Sequence, residues 1–136
     1  MKREIKFRVW NGQEMEYSVM AGIYGVFFVN PENGNGLDPK DTASLTPANT
    51  KYFDETPVMQ FTGLKDKSGK EIYEGDILTT ETEKPMIVKW NDKFASWCLY
   101  RDGWMFAHWF GESCQPEQCI VIGNRYENIE LLQDVV

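Results

Sequence analysis

Four side chains in the C-terminal part of the chain could do chemistry: Cys98, His108, Cys114 and Cys119. Thiolate and imidazole are zinc ligands, and a thiol beside an imidazole is a nucleophile with its base. The spacing argues against both uses. Structural zinc favours ligand pairs two to four residues apart on tight turns, and only one looser pair, Cys114-x4-Cys119, occurs here. Cys98 sits in the apolar run Trp97-Cys-Leu-Tyr and Cys119 opens Cys-Ile-Val-Ile, so both read as small buried hydrophobes. His108, the single histidine, lies among Trp104, Phe106 and Phe110 and is expected to be packed or hydrogen-bonded. No Gly-flanked Ser or Cys elbow supports a nucleophile. No catalytic set, cofactor or metal is expected, and the chain reads as a non-enzyme.

A stronger signal is aromatic. The chain has five Trp, six Tyr and eight Phe, and such residues favour strands and half-buried sheet faces. Trp104-Met-Phe-Ala-His-Trp-Phe110 is apolar on both faces of a strand, and one small barrel has a single interior. The outer face must then be covered by the N-terminal hairpin, by a second subunit or by a partner. Trp90, Trp97, Trp104 and Trp109 are the candidate interaction surface, and a homo-oligomer is expected.

The elements that would position these residues are strands. Ile5, Phe7 and Val9 alternate with Lys6, Arg8 and Trp10, Asn11-Gly12 follows, and Met15, Tyr17 and Val19 alternate again. This is a hairpin with a two-residue type I′ turn signal. Lys2, Arg3, Lys6 and Arg8 read as a solvated face of its first strand. Residues 23–29 form an apolar strand, and 30–50 a long loop. Within that loop the two Asn-Gly pairs mark a linker tip or a loosely specified hairpin, and a turn of helix fits near Pro39–Leu45.

Strands follow at Val58–Leu64, Met86–Trp90, Ser96–Arg101 and Trp104–Phe110, the last two joined by Asp102-Gly103, a second type I′ signal. Cys119–Ile122 is a short strand, and the tail at Tyr126–Leu132 suits a helical turn or an edge strand. No segment keeps a helical period for three turns. The fold class is all-β: residues 1–56 form a hairpin and strand extension, and 57–136 a small barrel.

Charge narrows the partners. Residues 1–56 carry 6 basic and 8 acidic groups, net −2, and 57–136 carry 8 and 13, net −5. Capture of a phosphate backbone is disfavoured on both. The acidic residues around Glu71–Glu83 read as a solvated edge that discourages aggregation. No apolar run approaches the roughly 20 residues of a membrane span. Three thiols and a start without a signal-peptide hydrophobic region lead to the expectation of a cytoplasmic protein.

The longest organised stretch is Met59-Gln-Phe-Thr-Gly-Leu-Lys-Asp-Lys-Ser-Gly-Lys-Glu-Ile-Tyr-Glu-Gly-Asp-Ile-Leu78. It reads as strand, turn at Asp66–Gly69, short strand, turn at Glu74–Asp76, and strand. Together with Arg3-Glu-Ile-Lys-Phe-Arg-Val-Trp10 and Val121-Ile-Gly-Asn-Arg-Tyr-Glu-Asn-Ile-Glu-Leu-Leu132, it resembles the YopX family of phage and prophage proteins. The resemblance implies an SH3-type barrel in the C-terminal part, a temperate-phage origin and no assigned activity. The function expected is a non-enzymatic interaction protein binding a host or phage protein. A nucleic-acid role, by Trp stacking on single strands or by acidic mimicry of DNA, is the alternative.

Overall fold

The computed structural model describes residues 4–10, 12–22, 25–30, 36–39, 58–102 and 105–132. It is all-β, with eleven strands and two short 3-10 segments among those residues. The chain divides into two compact units, Met1–Phe61 and Thr62–Val136.

In the first unit, β1 (Phe7–Trp10) pairs antiparallel with β2 (Met15–Gly22), β2 with β3 (Gly25–Asn30), and β3 with β4 (Gly36–Pro39). The other side of β1 pairs with the start of β5 (Val58–Lys65), in the register Phe7↔Gln60 and Val9↔Val58. Strand β4 makes the 30–50 region a hairpin where it is described: Asn30 faces Gly36 and Val29 faces Leu37. Pro39 ends that strand, and the helical turn expected beyond it, like the tip of the hairpin, lies outside the described residues.

The first hairpin exists, but with a longer turn than Asn-Gly alone predicts. Trp10 pairs with Met15, so four residues form the turn, with Gly12 at φ +100°. The register also shifts between Phe7 and Val9. Strand β1 itself keeps an unbroken register with β5, so the extra residue lies in β2 between Glu16 and Val19, and Arg8 and Val9, on the two faces of β1, are both buried while Ile5 stays exposed. Arg8 is therefore not on a solvated face; its guanidinium lies over the Tyr17 ring. Lys6 does sit outside, paired with Glu4 at 3.0 Å and over the Phe61 ring. Val9 and Val19 make a small core with Phe7 and Val58.

The C-terminal unit is the SH3-type small barrel. Its five-stranded antiparallel sheet runs β10 (Met105–Trp109), β9 (Ser96–Arg101), β8 (Met86–Asn91), β7 (Asp76–Thr79) and β11 (Ile120–Asn124). The end of β5 lies beside β6 (Glu71–Tyr73). One core packs Ile72, Leu78, Met86, Val88, Leu99, Phe110, Cys114 and Cys119. On the other face of the sheet, Ile77 and Ile87 pack with Tyr100 under Leu131 and Leu132 of the 3-10 segment Ile129–Leu132. The tail thus forms the helical turn rather than an edge strand, and it covers part of the outer face.

The turns of the central stretch are held by buried polar groups. Asp66 Oδ1 accepts from the Ser68 and Lys70 backbone N–H groups, both at 2.9 Å, and from the Ser68 hydroxyl at 2.7 Å. Its Oδ2 accepts from Val121 N–H at 3.0 Å, and Lys67 N–H donates to the Cys119 carbonyl at 2.9 Å. The hairpin loop is therefore fastened to β11, 55 residues away. Burial alone would raise the Asp66 pKa, but these hydrogen bonds, led by that from Val121, outweigh it and hold the carboxyl below 3.8.

At the next turn, buried Asp76 accepts from Tyr73 N–H at 2.8 Å, and Gly75 takes φ +87°. Gly75 N–H donates to the Val88 carbonyl, and its own carbonyl accepts from Arg125 N–H. Of the expected solvated acidic edge, Glu81 is exposed, but Asp76 is an interior turn residue. Near the end of the chain, Asn124 Oδ1 accepts from Tyr126 and Glu127 N–H, while Asn128 Oδ1 accepts from Asn124 N–H. A Cβ on Gly123 would stand 2.5 Å from that Asn128 oxygen, so the close approach needs glycine.

Candidate interaction surface and the neighbouring cleft

The arrangement of aromatic residues follows from one irregularity in β10. Phe106 pairs with Tyr100 and Trp109 with Cys98, while His108 pairs with Leu99, because the register shifts between Phe106 and His108. Regular alternation would put Phe106 and His108 on one face. The bulge at Ala107 instead puts Phe106 and Trp109 on the Tyr100 face and turns His108 to the Leu99 face.

The outcome is a row of four rings on the outer face. Tyr100 meets Phe106 at 6.0 Å between centroids, Phe106 meets Trp109 at 4.9 Å, and Trp109 meets Phe94 at 4.7 Å, all edge-to-face. Phe94 comes from the turn between β8 and β9, which Asn91 closes by accepting the Phe94 N–H. Phe94 is 52% exposed and Phe106 46%. Lys89 lies 5.9 Å from the Tyr100 ring and Lys93 5.6 Å from the Phe94 ring, so an ammonium group stands at each end of the row.

The four tryptophans singled out in the sequence do not form one cluster. Trp90 and Trp97 pair across β8 and β9 with ring centroids 5.1 Å apart, on the core-facing side with Leu99 and Val88. Trp109 belongs to the outer row, and Trp104 lies outside the described residues, as does Gly103. Arg101 pairs with Met105, and the Asp102-Gly103 turn expected between them lies outside the described residues from Gly103 on. Phe94, Tyr100 and Phe106 are ring-row members that the tryptophan pattern missed. Alternation along 96–106 could have grouped Tyr100 with Phe106, but not the bulge that adds Trp109.

On the opposite face, His108 is hydrogen-bonded rather than free. Its Nε2 lies 2.6 Å from Glu83 Oε1 and its Nδ1 3.2 Å from Ser113 Oγ. Arg101 donates to the same Glu83 oxygen at 3.0 Å. Glu83 and Ser113 line a cleft of about 280 Å³ with Lys67, Glu81, Cys114 and Glu117.

A hydroxyl, an imidazole and a carboxylate in series have the order of a nucleophile relay. The surrounding backbone opposes that use. The N–H groups of Glu112, Ser113 and Cys114 all point at the Trp109 carbonyl, and Trp109 N–H donates to Ser113 Oγ. These amides are committed to the turn and so do not form an oxyanion hole. The cluster closes the 111–114 turn and ties it to the 80–83 loop.

The thiols are all reduced and buried. Cys114 and Cys119 converge, with Sγ atoms 3.6 Å apart, while Cys98 stands apart and contacts the Ser96 carbonyl. Among the described residues, no group of three or more His, Cys, Asp and Glu side chains has the geometry to hold a metal ion. No helix among them is long and apolar enough to cross a membrane.

Comparison with known proteins agrees with this architecture. A solved structure, protein EF1440 from Enterococcus faecalis, is similar at 26% identity and a TM-score of 0.56, covering 97% of this chain and 100% of its own. Comparison with curated proteins gives no match. The family model for YopX protein matches residues 6–133, nearly the whole length. The chain therefore belongs to the YopX family.

Proposed function

We propose that this YopX-family chain is a non-enzymatic interaction module of a phage or prophage, acting in the host cytoplasm by binding a host or phage protein through the row Tyr100–Phe106–Trp109–Phe94. The observation that carries this reading is the contiguous ring row on β9, β10 and the β8–β9 turn, with Phe94 and Phe106 exposed. Aromatic anchors flanked by polar groups are the usual composition of a binding hot spot. The relay-like cluster on the other face supports the non-enzymatic reading, because its backbone donors are already engaged.

Affinity capture from infected or lysogenic cells tests it. A specific protein recovered in stoichiometric amount is the expected result. No recovery above background, with a small molecule raising the melting temperature instead, turns the reading towards a ligand carrier or an enzyme. Light scattering after size exclusion addresses self-association: a mass above 15.8 kDa that Phe106→Glu returns to 15.8 kDa means that a second copy occupies the row.

A second reading has an observation of its own. Lys89 and Lys93 at the two ends of the row resemble a stacking platform for a single strand. The net charge of −7 opposes it. Titration with oligonucleotides separates the possibilities. Quenching of Trp fluorescence that fades with salt supports stacking. No quenching, together with competition against DNA for a basic host protein, supports mimicry.

A further inference from the structure

We propose that Cys114 and Cys119 are a redox-modifiable dithiol that closes to an intramolecular disulfide by exchange with a small neutral disulfide. This inference does not depend on the interaction reading. The two Sγ atoms are 3.6 Å apart, and closing that gap to the roughly 2.05 Å of a bond takes a modest side-chain rotation. Both cysteines flank one short turn, in which Pro116–Gln118 forms a 3-10 segment and Cys119 N–H donates to the Pro116 carbonyl. The turn therefore holds the pair together before any oxidation. Cys119 is fully enclosed, whereas Cys114 lines the cleft with Lys67, Ser113 and Glu117, which gives a small reagent its route.

The exchange balances in two steps. The Cys114 thiolate attacks one sulfur of the reagent, forming a mixed disulfide and releasing one thiol. The Cys119 thiolate then attacks the Cys114 sulfur of that mixed disulfide, closing the protein disulfide and releasing the second thiol. The reagent gains two electrons and two protons, and the protein loses them. A neutral reagent suits a cleft lined by Glu81, Glu83 and Glu117.

The bond would clamp the turn that forms one wall of the cleft. That turn is joined to β10 by the Phe110↔Cys114 bridge and by Ser113. Cys98 takes no part, since its thiol lies on the face opposite the core that holds the pair.

Burial pushes the Cys114 thiol above its ordinary range, with the Glu83 carboxylate adding to the effect, and pushes Cys119 up to about 12. Only the thiolate reacts, so the rate should rise from about pH 7 to about pH 9.

The test uses the folded protein with hydroxyethyl disulfide, an acid quench, alkylation in denaturant and tryptic mass analysis. Residues 102–125 form one tryptic peptide carrying Cys114 and Cys119, while Cys98 lies in 94–101. The expected result is a 102–125 peptide without alkylation and lighter by two hydrogen atoms, with Cys98 still alkylated. Cys114→Ala should give no such peptide, and Cys98→Ser should leave it unchanged. Three alkylated thiols after treatment, a stalled mixed disulfide, or a dimer joined through Cys98 would each overturn the proposal. The wild-type peptide decides the matter even if Cys114→Ala fails to fold.

Discussion

Strand β11, at one end of the C-terminal sheet, meets buried polar groups, whereas β10, at the other end, carries exposed rings. On β11, Val121 N–H is taken by the Asp66 carboxylate, and the Cys119 carbonyl just before the strand by Lys67 N–H. Among the described residues no further strand lies beyond β10 in the sheet, and its outer face presents Phe106 beside Trp109 and Phe94. An edge fastened from within is closed to partners, and an edge bearing rings is available to them. The resemblance motif from Met59 to Leu78 acts at the first end, and the candidate surface occupies the second. The stretch Met59–Leu78 thus holds the turns of the sheet together.

The largest effect should come from removing the polar fastening. Asp66→Ala leaves three backbone N–H groups without their acceptor and should cost about 2–3 kcal/mol in urea unfolding. Asp66→Asn should cost less. Its amide oxygen can serve Ser68 and Lys70, but its NH2 group then faces the Val121 donor. The pH dependence follows from the lowered pKa. An unfolded carboxyl near 3.8 binds protons before the folded one does, so the stabilisation is present above that value and is lost as pH falls through the folded pKa. The difference in melting temperature between wild type and Asp66→Asn should therefore shrink as pH falls below about 3.8.

A somewhat smaller loss is expected at the Gly123 approach. An alanine methyl there collides with the Asn128 side chain over three atoms at 2.5–2.7 Å, which displaces the cap on Asn124. The cost should be about 2 kcal/mol in the same unfolding measurement. In the N-terminal unit, Gly12→Val forces a β-branched residue to φ +100° and should cost about 1 kcal/mol, read as a lower melting temperature. An unchanged melt would mean that the turn does not need its positive φ.

The sequence made the strands legible more readily than their irregularities. Alternation around Phe7–Val9 and Met15–Val19 located the first hairpin, and the aromatic run located β10. The extra residues in β2 opposite Arg8 and at Ala107 in β10 stay hidden, because a period of two carries no sign of where an extra residue will be inserted. For the same reason alternation puts His108 beside Phe106 rather than across the sheet from it. Glu83 reads from the sequence as a solvated acid, since its partners His108 and Arg101 lie 25 and 18 residues away in the chain. Asp66 was legible as a turn former, but its reach to Val121 belongs to the tertiary fold alone. The thiol pair at Cys114 and Cys119 was visible as a spacing, and only the 3-10 turn between them shows that the sulfurs meet.

The most direct test of the contrast between the two ends is the double substitution Phe94→Ser, Phe106→Ser, followed by both melting temperature and partner capture. Both side chains are about half exposed, so stability should change by no more than about 1 kcal/mol. Asp66→Asn serves as the matched control at the other end, at a temperature where it remains folded. The account predicts that the double variant melts close to wild type and captures no partner, while folded Asp66→Asn captures it normally. Undiminished capture by the double variant, or capture lost equally in both proteins while folded, would contradict the assignment of the ring row as the binding surface.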